Sequence, residues 1–284
     1  MSEITSLTQS LNTLKTRLGK DFEAIKANWK ERREKARPRL EATYGALSDA
    51  AIDKILRAEE ELATCEKCGG ACPFDERKPV IESDGTITSA LCEYGLRRRA
   101  TAAKIPPQYF GKTFADYEVT ADNSEAVKIA KWFVADKPAK SLYLYGKCGT
   151  GKTFLASIIA LGFISDGNRV IFGDVPTLLG ELKRQFDGGD ALSILDTYTA
   201  CDLLVLDDLG AGLLSEWGVG IVYQIINARC NTSKRLVVTS NFDYKGLETR
   251  LRTKDAYSAE RIISRFNGMC VPAFLGLTDR RKQR

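Results

Sequence analysis

One short segment limits the architectures open to this chain more than any other. Gly146-Lys147-Cys148-Gly149-Thr150-Gly151-Lys152-Thr153 carries glycine at its first, fourth and sixth positions and ends on a lysine and a hydroxyl residue. An apolar run, Leu142-Tyr143-Leu144-Tyr145, leads into it, and a helical pattern, Thr153 to Ile164, leads out. Strand, glycine loop and helix is the order in which backbone amides can turn inward around phosphates. The glycines permit the turn, and the helix start adds its positive dipole end. The pattern Gly-x-x-x-x-Gly-Lys-Thr is that of a Walker A loop. Residues 146–153 are therefore read as the cradle for the triphosphate of ATP. Lys152 would reach the β- and γ-phosphates and the Thr153 hydroxyl would ligate Mg²⁺. A plain glycine turn is the bland alternative.

Such a loop needs a sheet behind it. Ser141–Tyr145, Val170–Phe172, Leu203–Leu206 and Leu236–Thr239 are short apolar runs separated by helical segments. Their alternation predicts an α/β fold with a parallel sheet and flanking helices. The third run ends in two carboxylates, Asp207 and Asp208, about sixty residues after the glycine loop. Asp207 is placed as a Walker B aspartate that holds the Mg²⁺ shell. Asp208 stands where many such ATPases carry a glutamate that orients the attacking water, and it is one methylene shorter. The fourth run leads through Thr239 and Ser240 to Asn241, which can contact the γ-phosphate or the catalytic water. In additional-strand P-loop ATPases this fourth run lies between the other two. The competing reading of Asn241 is a turn residue that ends its strand.

The preceding residues follow other patterns. Leu7, Leu11, Leu14, Leu18, Phe22, Ile25 and Trp29 recur at steps of three and four, which predicts an amphipathic helix that Pro38 would end. A second helix is expected from about Glu41 to Ala63. Residues 1–62 are then a helical hairpin packed on itself, or a docking surface for a partner. Cys65, Cys68, Cys72 and Cys92 offer four thiolates, the first two at zinc-knuckle spacing with Gly69 and Gly70 beside them. The chain has no histidine, so such a site is all-cysteine, tetrahedral and structural. Zn²⁺ is the expected ion; an iron–sulfur cluster is the alternative, since four cysteines are its usual ligands. Residues 63–104 are thus read as a zinc module, 105–124 as a linker marked by Ile105-Pro106-Pro107, and 125–284 as the ATPase domain.

The ordered set of motifs resembles a known family. Tyr143-Leu144-Tyr145-Gly146, Thr153-Phe154-Leu155-Ala156, Asp174-Val175-Pro176, Leu178-Leu179, the segment Leu204 to Gly210 and Thr239-Ser240-Asn241 together are similar to AAA+ helicase loaders of the DnaC/DnaI type and the related IstB-like transposition ATPases. The resemblance runs from about Phe114 onward. The cysteine segment also looks like the zinc module of DnaI-type loaders, which IstB-like proteins generally lack. The resemblance implies an AAA+ domain that hydrolyses ATP, slowly and in an assembly-dependent way. It implies a hexameric replicative helicase and single-stranded DNA as partners, with the N-terminal region engaging the helicase. It also implies a homo-oligomer in the ATP-bound state, with Arg265 as a finger reaching a neighbour's γ-phosphate and Arg261 as its companion. Asp279-Arg280-Arg281 resembles the family's ending, with too little chain after it for a full helical lid. A transposition helper and a non-hydrolysing adaptor are the alternative functions.

The net charge of +5 permits nucleic-acid contact without demanding it. The N-terminus lacks a basic stretch followed by an apolar run, and no apolar run is long enough to span a bilayer. A cytoplasmic protein without membrane contact is expected, and its eight cysteines are then thiols or metal ligands.

Overall fold

The computed structural model describes residues 27–67, 77–188, 191–212 and 214–280. They belong to two compact units, Met1–Cys92 and Glu93–Arg284. Among the described residues no helix is long and apolar enough to cross a membrane.

The first unit is built on two helices, α1 (27–44) and α2 (Asp49–Lys67). Its core is Ala36 and Leu40 from α1 against Ile52, Ile55 and Leu56 from α2. Trp29, Tyr44 and Leu47 flank that core. The apolar stripe from Leu7 to Ile25 lies outside the described residues, and of the expected helix face only Trp29 falls within them. Pro38 does not end α1, contrary to expectation. A proline inside a helix forfeits one hydrogen bond and clashes with the preceding turn, at about 3 kcal/mol. Ala36 and Leu40 on either side of it are buried, and burial contributes roughly 2 kcal/mol for a side chain the size of Leu40 and less for Ala36, which offsets much of the penalty. The helix stops instead at Gly45, in the left-handed region at φ +80°, whose N–H donates to Glu41 O at 3.0 Å. Arg33 bridges from α1 to Asp49 and Asp53 at 2.6 and 2.8 Å, and Arg39 reaches Glu59 at 2.9 Å.

After α2 comes an antiparallel hairpin that the sequence reading did not anticipate. It consists of β1 (Arg77–Ile81) and β2 (Ile87–Leu91), paired from Arg77↔Leu91 to Ile81↔Ile87. Ile81 and Ile87 pack onto the helical core. Alternation is poor in both strands, and Asp84-Gly85 supplies the turn.

The second unit opens with α3 (Glu93–Ala102) and α4 (Ser124–Asp136) and continues as β3 (Ser141–Tyr145), α5 (Lys152–Ser165), β4 (Val170–Asp174), α6 (Val175–Gly188), α7 (Ala191–Ala200) and β5 (Leu203–Asp207). Then follow α8 (Glu216–Asn231), β6 (Arg235–Ser240), α9 (Tyr244–Arg252), α10 (Ala256–Met269) and β7 (Cys270–Phe274). The five strands form one parallel sheet in the order β4-β5-β6-β3-β7. Four of them match the apolar runs. The fifth, β7, was missed: Pro272 masks it, and it is tolerated because β7 is an edge strand paired only to β3. The strand order places β6 between β3 and β5.

Helix α5 is apolar on almost every face, and ten of its fourteen residues are buried. It must therefore lie inside the unit. Helix α4 packs on it where Gly162 leaves room; a Cβ there would stand 2.7 Å from Val134 Cγ1. The other large cluster joins Val219, Val222, Ile225 and Ile226 of α8 to Ile262 and Phe266 of α10 and to the sheet residues Tyr143, Leu204 and Val238.

One buried charge organises the far end of this cluster. Arg229 of α8 is fully buried. Its guanidinium donates to Tyr198 O at 2.8 Å, to Thr199 O and Asp202 O at longer range, and to Arg235 O. Cys201 Sγ lies 3.3 Å away. Burial pushes its pKa down from the ordinary arginine value. Five acceptors from the end of α7 and the starts of β5 and β6 thus converge on one cation. Arg229→Met should leave those carbonyls unsatisfied and lower stability by about 3 kcal/mol. Urea unfolding of the full chain, read by the shift in midpoint at unchanged slope, measures this.

Candidate nucleotide site

The parallel sheet brings the ends of β3, β5 and β6 to one edge, where α/β folds bind ligands. The loop between β3 and α5 turns on three glycines with positive φ: Gly146 at +154°, Gly149 at +81° and Gly151 at +91°. Side chains are excluded at all three. A Cβ on Gly146 would meet Gly276 O at 2.8 Å, one on Gly151 would meet the Tyr117 hydroxyl at 2.9 Å, and one on Gly149 would collide with the Asp279 carboxylate. Lys152, the first residue of α5, is only 6% exposed. Its ammonium donates to Gly146 O at 2.9 Å and Lys147 O at 2.8 Å, so the charge lies within the curl of the loop. Cys148 is exposed and Thr150 is buried, with its hydroxyl donating to Lys147 O at 3.0 Å.

Three elements meet at the Asp207 carboxylate. Thr153 Oγ1 on α5 lies 3.0 Å from Oδ2 and 3.2 Å from Oδ1. Thr239 Oγ1 on β6 donates to Oδ1 at 2.6 Å. The same Thr239 hydroxyl accepts from the backbone N–H of Asp208 at 2.9 Å, and Thr239 O accepts from Leu209 N–H at 2.9 Å. Asp208 is held in the left-handed region at φ +57°. A non-glycine residue there is strained, which directed turns at functional sites tolerate. Asp174 ends β4 in register with Asp207, and its carboxylate accepts from Thr177 N and Oγ1.

Burial pushes the Asp207 pKa up to about 6, and the negative charges of Asp208 and Asp174 add to it. The hydroxyls of Thr239 and Thr153 act against that rise. A buried carboxylate beside two others, with a threonine hydroxyl on it, suits a divalent cation. Asn241 follows β6, and its Oδ1 is buried with no hydrogen-bond partner. Buried polar atoms are rarely left so, and this one lies one residue beyond Ser240, whose carbonyl accepts from Gly146 N–H at 3.3 Å. Loop 146–153, Asp207, Asp208 and Asn241 therefore share one edge of the sheet, and the residues fit a Mg²⁺-triphosphate group.

The two arginines are elsewhere. Arg261 lies over the Tyr257 ring at 3.9 Å and donates to the Tyr223 hydroxyl at 3.1 Å. Arg265 points towards Cys230 Sγ, 3.8 Å away. Among the described residues, both run from α10 to α8 or to their own helix, and neither contacts loop 146–153 of its own chain. Thr239 and Asp174 were named from the sequence only within the family motifs, without a site role, and Tyr117 was not named. Thr239 was legible as the polar residue ending an apolar run; the other two have no local signal.

A fold and site of this kind define a P-loop ATPase with a strand inserted between its two nucleotide-binding strands. The family model described as "IstB-like ATP binding protein" matches residues 92–272. The chain belongs to that ATP-binding and ATP-hydrolysing family. The replicative helicase loader DnaC of Buchnera aphidicola subsp. Baizongia pistaciae is 30% identical over 176 residues, which cover 60% of this chain and 69% of that protein. A solved structure described as DnaI is 28% identical with a TM-score of 0.54, over 60% of this chain and 93% of that one. A DnaC helicase loader structure is 26% identical with a TM-score of 0.54, over 61% of this chain and all of that one.

The raised Asp207 pKa has a sign that can be measured. The folded protein keeps the proton up to about pH 6, whereas the unfolded chain releases it near 3.8. Stability of the nucleotide-free protein therefore falls as pH rises through that window. Asp207→Asn removes the ionisation and should stabilise the protein at pH 8 by on the order of 2 kcal/mol, with a smaller gain at pH 5. Denaturant midpoints at the two pH values test it; an equal gain at both would show that the carboxylate is not desolvated.

Proposed function

We propose that this chain is an ATP-dependent loader of a hexameric replicative helicase, placing the ring on single-stranded DNA during bacterial or phage replication. The observation that carries this reading is the match to a DnaC replicative helicase loader over 69% of that protein's length, joined to a complete phosphate-loop site. In this reading residues 146–153 hold the triphosphate, Lys152 neutralises the β- and γ-phosphates, and Thr153 with Asp207 holds Mg²⁺. Bound ATP supplies a γ-phosphoryl group whose hydrolysis can be coupled to a change in partner affinity. Asp208 orients the attacking water and Asn241 contacts the γ-phosphate or that water.

The positive charge that completes hydrolysis comes from Arg265 of a neighbouring copy, with Arg261 beside it. Support comes from their place on α10, with contacts turned to α8 and away from their own loop. The ATP-bound state is accordingly a homo-oligomer. Contact with single-stranded DNA is permitted by the basic net charge and supported by a cavity of about 410 Å³ whose lining includes Gly210, Gly246, Phe242, Arg250 and Lys254. Aromatic and cationic groups together suit a stacked base with its phosphate. Residues 1–62 are proposed to dock the helicase, 63–104 to form the metal module, 105–124 to link, and 125–284 to carry ATP chemistry. The expected location is the cytoplasm.

One Zn²⁺ is proposed at Cys65, Cys68, Cys72 and Cys92. Cys68, Cys72 and the side chain of Cys65 lie outside the described residues. Support comes from Cys92, which is buried directly after β2. The register Arg77↔Leu91 sets Cys92 beside the start of β1, which begins a few residues after Cys72 in sequence, and Cys65 lies in the last turn of the helix that packs on the same hairpin. Among the described residues alone, no group of three or more potential ligands is assembled.

Two experiments test these readings. Lys152→Ala should abolish binding of a fluorescent ATP analogue while leaving the fold intact, and should end helicase delivery to circular single-stranded DNA by candidate hexameric helicases. Unchanged analogue binding would refute the site, and delivery without ATP would refute the loader reading. Elemental analysis of the full chain should return about one zinc per chain, falling on Cys92→Ser, whereas a chromophore near ~400 nm would mean iron–sulfur.

A further inference from the structure

The phosphate loop is gripped from two sides by segments outside the glycine motif itself. On one side stands Tyr117, which precedes α4. It is 4% exposed, and its hydroxyl lies 3.4 Å from both Thr150 O and Gly151 O. Its ring leans on Phe154 of α5, centroids 5.3 Å apart, and Phe154 is stacked in turn on Tyr109. On the other side runs residues 275–280, beyond residue 272, where the family match ends. Leu275 N–H donates to Tyr145 O at 2.8 Å and continues the line of β7. Gly276 O accepts from Lys147 N–H at 3.2 Å, and Arg280 N–H donates to Gly149 O at 3.1 Å. The Asp279 carboxylate occupies the space a side chain at position 149 would need.

One side chain closes the two sides on each other. The Arg280 guanidinium donates to Glu118 O at 2.9 Å and to Thr120 Oγ1 at 3.5 Å, and its Cζ lies 5.4 Å from the centre of the Tyr117 ring. Arg280 therefore touches the loop through its backbone and the opposite wall through its side chain. Its donors are directed at protein acceptors. A planar guanidinium that bonds a carbonyl while covering an aromatic ring is a fixed brace.

We propose that residues 276–280 form a clasp that holds the phosphate loop in its binding shape, with Arg280 as the positioning residue that locks the clasp to Tyr117, Glu118 and Thr120. Glycine-rich loops lose much conformational entropy on ordering, so a loop already ordered by the clasp binds phosphate more tightly. Arg280 acts through the loop, and it does not read the γ-phosphate. The proposal rests on loop 146–153 being the triphosphate site. That premise fails separately, if the wild-type chain binds no nucleotide.

The two roles for Arg280 predict different outcomes. In full-length Arg280→Ala, affinities for fluorescent ATP and ADP analogues should both fall by the same factor, on the order of tenfold, with kcat at saturating ATP retained. Arg280→Lys can still reach one carbonyl but cannot brace the ring, and should fall between. Hydrogen exchange of the nucleotide-free chain gives a readout independent of activity: the amides of Lys147 and Arg280 should exchange faster in Arg280→Ala. A loss confined to ATP, with ADP affinity intact, would make Arg280 a γ-phosphate sensor and overturn the clasp. So would unchanged affinity for both nucleotides. If Arg280→Ala does not fold, the same comparisons in Arg280→Lys decide.

Discussion

The nucleotide edge of the sheet depends on a carboxylate that the fold takes out of water. Asp207 ends β5, the neighbour of the central strand β6, and hydroxyls from α5 and β6 converge on it. A buried carboxylate is costly unless it is hydrogen-bonded or paired with a cation. Here the threonines offset part of that cost and leave the pKa raised to about 6. The arrangement is pre-strained towards accepting positive charge. It also ties the loop helix to the two strands that carry Asp208 and Asn241, so the residues around a nucleotide are positioned by a single bonded centre.

That centre is available only because of the strand order. With β6 between β3 and β5, Thr239 can reach Asp207, and Ser240 O can accept from the first residue of the glycine loop. All strands run parallel, so their carboxyl ends and the loops that follow them gather on one side. The interior pays no attention to function: α5 is buried nearly all round, and the Arg229 guanidinium ties α7, β5 and β6 together at the opposite edge. Rigidity behind the site and adaptable polar groups in front of it follow from the same topology.

The two arginines belong to a different logic. They project from α10, where Arg261 rests on two tyrosines and Arg265 approaches a cysteine. A cation placed away from its own nucleotide loop can serve a neighbour's site, which links turnover to assembly. The clasp over the loop would act within one subunit. Separate devices for holding the nucleotide and for completing its hydrolysis would let a protein of this class bind ATP before it meets its partner.

Much of the site was legible in the residues alone. A glycine loop between a strand and a helix has one good use, and Asp207-Asp208 at the end of an apolar run has few, because phosphate and metal chemistry demand particular atoms at particular spacings. The four apolar runs became four parallel strands. Local pattern failed where packing overruled it. Pro38 stayed inside a helix because its neighbours are buried, β7 was hidden by a proline that an edge strand tolerates, and β1 and β2 lack clear alternation. No local rule could bring Tyr117 and Arg280 to the loop, or Thr239 and Asp174 to Asp207, since each pairing spans more than twenty residues of sequence and arises through strand order or chain return. The amino-acid sequence determined which chemistry the chain could perform; only the tertiary structure decided which side chains surround it, because contacts between distant segments are set by the packing of the whole unit and leave no periodic trace in the chain.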